Sequence, residues 1–80
     1  MPTVLRKKGY RFYFYALEGS EAPHAHVDKG SGTLKLWLSN LAVAYADNLK
    51  PAEIREALNI AHTHHKLLLD DWYEFSQRKS

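Results

Sequence analysis

The segment from Pro51 to the end of the chain constrains the fold most, because it contains no glycine and no further proline. Proline suits the first turn of a helix, and Glu53 and Glu56 follow it where the helix dipole favours acids. The segment therefore predicts one helix over about residues 51–77, roughly 40 Å long. Its apolar positions recur every three or four residues: Ile54, Leu58, Ala61, Leu68, Trp72 and Phe75.

The residues before this helix predict an antiparallel sheet of four or five strands, because apolar alternation is separated there by turn residues. Lys8-Gly9 and the Gly30-Ser31-Gly32 segment are the predicted hairpin turns, and residues 18–23 a loop. The predicted strands cover residues 3–7, 10–17, 24–29 and 33–38, with 41–46 as either a short fifth strand or an irregular segment. We therefore expect a single α+β domain over residues 1–80, with strands within about 3–46 and the sheet packed on one long C-terminal helix.

The first hairpin assigns side chains to the two faces of the sheet, because cross-strand partners share a face. A turn at Lys8-Gly9 pairs Leu5 with Phe12, places Val4 opposite Tyr13, and gives Lys7–Tyr10 and Arg6–Arg11 pairs. The predicted core consists of Leu5, Phe12, Phe14, Val27, Leu34, Leu36, Leu38, Ile54, Leu58, Leu68 and Trp72.

The other face of the sheet is predicted to be open, or covered by something outside the chain, because one helix covers only one face. It collects Arg6, Arg11, Tyr13, Tyr15, His24, His26, Asp28, Lys35 and Trp37. Rings that stack bases and cations that hold phosphates are typical of RNA-binding sheets. The predicted nucleic-acid-binding residues are Arg6, Arg11, Tyr13, Tyr15, Lys35 and Trp37. The same composition is also typical of protein interfaces and of rings that pack on each other.

His24 and His26 are two residues apart and point the same way from a strand. The pair is compatible with metal binding together with a further ligand such as Asp28, with phosphate binding, or with metal-free RNA cleavage. It is also compatible with two surface histidines beside a proline turn. Under the cleavage hypothesis the catalytic residues are His24 and His26, acting as acid and base. We expect no bound metal and no cofactor.

Three further histidines, His62, His64 and His65, lie on the predicted helix. No His-Glu-x-x-His pattern is present, which excludes the usual helical zinc protease site. His65 falls on the apolar stripe, and we interpret it as a partly buried core residue.

Composition excludes several classes of function. The absence of cysteine excludes disulfides, zinc–thiolate sites and cysteine nucleophiles. No apolar run approaches the roughly 20 residues that span a bilayer, and the first residues lack a signal-peptide pattern, so we expect a cytoplasmic protein without membrane contact. The net charge of +2 is too small to indicate a nucleic-acid partner by itself.

Three segments, residues 1–15, 18–27 and 51–58 followed by Trp72, resemble a small bacterial family known as domain-of-unknown-function family 4160. His24 and His26 match the family's His-x-His pattern. Members look like short stand-alone proteins encoded beside another small protein, which implies a toxin–antitoxin-type component with a cognate antitoxin or toxin protein as partner. Two hypotheses follow: an RNA-contacting component that acts as a metal-free ribonuclease, or a non-enzymatic module whose sheet face binds a partner protein or a second copy as a homodimer.

Overall fold

A computed structural model describes residues 3–15 and 21–78 of the chain. Its strands form one antiparallel sheet in the order β1-β2-β3-β4-β5, and two helices follow. The elements are β1 (Thr3–Lys7), β2 (Tyr10–Tyr13), β3 (His24–Lys29), β4 (Gly32–Trp37), β5 (Val43–Asp47), α1 (Pro51–Thr63) and α2 (His65–Arg78). The predicted α+β class and the antiparallel sheet are confirmed.

The first hairpin keeps the predicted register except at its open end. Leu5 pairs with Phe12, but Tyr13 lies opposite Thr3 rather than Val4, because the register shifts between Thr3 and Leu5. The extra residue forms a bulge, which side-chain alternation alone does not reveal. Lys8 and Gly9 both have positive φ, of 53° and 85°, as a two-residue type I′ hairpin turn requires.

Several strand boundaries differ from the prediction: β4 covers Gly32–Trp37 rather than residues 33–38, and the larger differences are at the end of β2 and the start of β5. β2 ends at Tyr13, whereas the sequence predicted a strand to residue 17; residues 16–17 and the loop residues 18–20 lie outside the described residues. The fifth strand is present but begins at Val43 rather than at residue 41. Leu41 has a φ of 60° and its N–H donates to the Trp37 carbonyl at 2.8 Å, so this residue closes a turn.

The prediction of one continuous helix is wrong, because the chain leaves helical geometry at His64, with φ −109° and ψ 25°. Just before this point the Thr63 hydroxyl donates to the Asn59 carbonyl at 3.0 Å, a contact that often bends helices. Just after it, the ring Nε2 of His65 donates to the Leu38 carbonyl. This bond ties the start of α2 to the end of β4.

The core lies between the sheet and the two helices. Of the predicted core residues, Leu5, Ile54 and Leu58 are only partly buried, and the others are buried. On α1 the buried residues are Ala57, Ile60 and Ala61, so the face against the sheet is rotated from the predicted stripe. The two alanines allow close approach of the helix to the sheet.

Two polar contacts stabilise the start of α1, and the second of them joins it to the sheet. The Glu53 carboxylate accepts a hydrogen bond from the Lys50 N–H at 2.8 Å and so caps the helix. The Tyr10 hydroxyl donates to Glu56 at 2.9 Å, which joins β2 to α1. Burial and the neighbouring Glu56 raise the pKa of Tyr10 to about 12, so the phenol stays protonated and donates throughout the physiological range.

Candidate functional site

The sheet surface away from the helices is lined by aromatic rings, and we call it the ring face. Cross-strand pairing places Tyr13 beside His26, His26 beside Lys35, and Lys35 beside Tyr45, so one row crosses four strands. A second row joins His24 to Trp37. The ring face comprises Tyr13, Tyr15, His24, His26 and Trp37, together with the charged residues Arg11, Asp28 and Lys35. It therefore brings together every predicted site residue, with Arg6 at its rim on β1, opposite Arg11.

His26 lies at the centre of a packed group of rings. Its ring stacks on Tyr13 with centroids 5.5 Å apart and planes 24° apart, and Tyr15 approaches it edge-on at 5.0 Å. The His24 ring is also edge-on, at 5.4 Å. Aromatic pairs with these separations contribute about 0.5–1.5 kcal/mol each beyond their buried area.

A residue from the far end of the chain closes one side of this group. His24 packs between Trp37, at 5.8 Å, and Trp72 of α2, at 5.0 Å between ring centroids. As a result His24 is 7% exposed, His26 8% and Tyr13 7%. The middle of the ring face is thus closed by its own rings and, beside His24, by α2, which also contacts the core. The sequence predicted an open face instead.

Each of the two cations in the middle of the ring face, Arg11 and Lys35, lies beside an acid. Arg11 approaches Asp28 at 3.7 Å and lies over the Tyr13 ring, while the Tyr13 hydroxyl donates to Asp28 at 3.3 Å. Lys35 bonds Glu21 at 2.9 Å and lies over the Trp37 ring. A phosphate that approached either cation would also meet a carboxylate, Asp28 or Glu21, that repels it.

The two histidines of the pair have different environments. The His24 Nδ1 donates to the Ala22 carbonyl at 2.9 Å, and its Nε2 lies 3.5 Å from the Glu21 carboxylate. Burial lowers the pKa of His26, and the nearby charges of His24 and Lys35 lower it further. His26 is therefore neutral at pH 7, and both nitrogens of His24 already face oxygen acceptors.

The helix histidines stand apart from this group, and Arg6 lies only at its rim. Arg6 is exposed on the outer strand β1 and shares the face of its cross-strand partner Arg11. His62 is exposed, and His65 is partly buried against Leu38, as predicted for a residue on the apolar stripe. Within residues 3–15 and 21–78, no group of three or more His, Cys, Asp or Glu side chains could hold a metal ion.

Sequence reasoning missed three residues of the site: Glu21, Tyr45 and Trp72. Glu21 precedes a proline in a loop, where no periodicity indicates which way a side chain points. Tyr45 could be assigned to a face only once the register of β5 against β4 was known. Trp72 was predicted as core, and nothing in its spacing indicates that it also contacts His24.

The lowered pKa of His26 predicts that the protein loses stability as the pH falls. The folded state binds the His26 proton less tightly than the unfolded chain, so the stabilisation is complete above the unfolded value of 6.5 and is lost progressively below it. We expect the melting temperature to decrease between about pH 7.5 and pH 5. His26→Gln should flatten this dependence, and calorimetry across the range measures it.

The control for this measurement is His62→Gln, because His62 is an exposed histidine on α1. It should keep the pH dependence of the wild type. An unchanged slope in His26→Gln would show that His26 does not carry the effect.

None of the helices in the described part of the chain is long and apolar enough to cross a membrane. No curated protein and no solved structure matches the chain. A family model described as a domain of unknown function, DUF4160, matches residues 9–73. The matched range runs from the first hairpin turn into α2 and contains the ring face from Tyr13 to Trp37. The chain therefore belongs to the DUF4160 family, whose description assigns no function.

Proposed function

We propose that this protein is a non-enzymatic interaction module of a cytoplasmic toxin–antitoxin-type pair, and that the ring face binds the cognate protein. The observation that carries the proposal is the pairing of the two central ring-face cations with acids, Lys35 with Glu21 and Arg11 with Asp28. Where the charges are already paired, a protein surface can cover the face without leaving a buried charge unpaired.

The rings that remain accessible have the properties of interface anchors. Tyr15 is 47% exposed and Trp37 is partly exposed, and they flank the buried histidines. Tyrosine and tryptophan are enriched among the residues that dominate binding energies. Both rings rest on other rings, so little side-chain freedom remains to be lost when a partner covers them.

The same geometry gives less support to catalysis by the histidine pair. An acid–base pair must reach the substrate's hydroxyl and leaving oxygen directly. His24 and His26 are 7% and 8% exposed, and the His24 nitrogens face Ala22 and Glu21. We therefore propose that the two imidazoles support the ring face rather than cleave RNA.

RNA remains a second candidate partner, and the arrangement of exposed rings and cations at the rim of the face favours it. Tyr15 and Tyr45 are about half exposed, and Arg6 is exposed beside Arg11. Exposed rings stack bases, and cations along a groove follow the backbone. Tyr13 does not fit this role as first predicted, because its ring is buried against His26.

The proposed function predicts tight and weakly salt-dependent binding to a cognate small protein, which the family resemblance implies is encoded beside this one. We expect the two to co-purify after co-expression, and Trp37→Ala to weaken the complex at least tenfold, about 1.4 kcal/mol. Isothermal titration calorimetry at several salt concentrations measures both effects. Leu67→Ala is the matched control, because Leu67 is an exposed apolar residue on α2.

Two results would contradict the proposal. Wild-type affinity in Trp37→Ala would place the interface elsewhere. Binding to a single-stranded RNA oligonucleotide, with an affinity that falls steeply as salt rises, would favour the RNA candidate, because each phosphate contact releases counterions.

A further inference from the structure

The edge strand β5 is exposed along its whole length. All five residues from Val43 to Asp47 are exposed, including Val43 at 40% and Tyr45 at 48%. Among the described residues β5 pairs on one side only, with β4, so its outer backbone groups are available to another strand. Such an edge is a template for a strand from another molecule.

The two edges of the sheet differ in their protection against such pairing. β1 carries Arg6 and Lys7, and charged side chains on an edge discourage association. β5 reads Val-Ala-Tyr-Ala-Asp and contains neither proline nor a basic residue. A bulge at its start, where the register shifts between Lys35 and Leu36, leaves Tyr45 to Asp47 in regular pairing.

We infer that β5 is a homodimerisation edge, at which β5 of a second copy adds in antiparallel orientation. Directly opposed residues of two antiparallel strands point to the same face of the sheet. The faces of the two copies therefore match only when opposed residues are both odd-numbered or both even-numbered, so that their numbers sum to an even value. A two-fold axis through Ala46 meets this condition. It places Tyr45 of each copy opposite Asp47 of the other, on the side of the ring face.

Charge and symmetry select a second copy over other strands. The Tyr45 phenol of each copy can donate to the Asp47 carboxylate of the other copy, so the contact occurs twice, once on each side of the axis, while the two Asp47 carboxylates stay at opposite ends. Parallel pairing would instead bring like charges together. Pairing of β5 with a β1 edge would be head-to-tail and would leave open ends, whereas the two-fold arrangement closes.

The assembly would be a ten-stranded sheet whose two outer edges are both the cationic strand β1. Both ring faces would lie on the same side, so each remains available for the partner proposed above. A short strand pair buries less area than stable interfaces do, so we expect a weak dimer with a dissociation constant on the order of 10⁻⁴ M.

Opposite charges placed at Tyr45 test this inference. Tyr45→Glu sets a second carboxylate opposite each Asp47 and should weaken association at least tenfold. Tyr45→Lys sets an ammonium there and should keep or strengthen it. Tyr73→Glu is the control, because Tyr73 is 54% exposed on α2. Sedimentation velocity between about 10 μM and 1 mM protein measures the monomer–dimer equilibrium.

Concentration-dependent dimers in the wild type, Tyr45→Lys and Tyr73→Glu, together with monomers in Tyr45→Glu, would support the inference. A wild type that stays monomeric up to about 1 mM would overturn it. Equal association of the two Tyr45 variants would also overturn it, because the interface would then lie elsewhere. If Tyr45→Glu instead weakens binding to the cognate protein and the wild type does not dimerise, the edge belongs to that partner.

Discussion

Trp72→Ala is expected to unfold most of the protein at 25 °C. Trp72 is 5% exposed and packs edge-on against Phe14, with ring centroids 5.3 Å apart, and against His24 at 5.0 Å. Truncation of a buried tryptophan to alanine typically costs about 3–5 kcal/mol. The hydrophobic core of a domain this small contributes about the same net free energy of folding, so the variant retains little stability. Urea titration followed by the fluorescence of Trp37, the other tryptophan, measures the loss.

The control for this prediction is the next residue along α2, which points about 100° away around the helix axis. Tyr73 is 54% exposed, so Tyr73→Ala should change the free energy of unfolding by no more than about 0.5 kcal/mol. Equal and small losses in the two variants would contradict the packing of α2 described above.

Local patterns were sufficient to predict the sheet and its two faces. Phe12 and Phe14 are buried, and Leu5 pairs with Phe12, because a two-residue turn and strict alternation leave one consistent register. Alternation fails where the chain adds a residue, as at the bulge beside Val4. It also gives no register for β5, whose exposed residues include Tyr45.

The helix break and the closure of the ring face depend on contacts between distant parts of the chain. His65 reaches Leu38, which is 27 residues earlier, and this bond is invisible to helical periodicity. Trp72, on the helix that follows this break, packs on His24, which is 48 residues earlier. The sequence placed Asp28 on the same face as Arg11, but it did not indicate Glu21, the acid beside Lys35, which comes from a loop.

The burial of His26 changes what its replacement should do. At an exposed strand position alanine is tolerated within about 1 kcal/mol, but His26 is 8% exposed and packs on Tyr13, Tyr15 and His24. His26→Ala leaves a gap between these rings and should lower the free energy of unfolding by about 2–3 kcal/mol. Denaturant midpoints at pH 7.5 measure this loss, with His62→Ala as the exposed control.

Variants of His26 also distinguish a structural role, in which the imidazoles support the ring face, from a catalytic role. If the imidazoles only support the rings, the wild type cleaves no RNA at any pH, and His26→Phe, which keeps a ring at this position, should recover part of the stability that His26→Ala loses. Catalysis predicts instead a bell-shaped pH dependence of cleavage in the wild type, and a loss of about 10²–10⁴-fold in His26→Phe. Since a phenyl ring can stack but cannot transfer a proton, this variant decides between the two roles of His26.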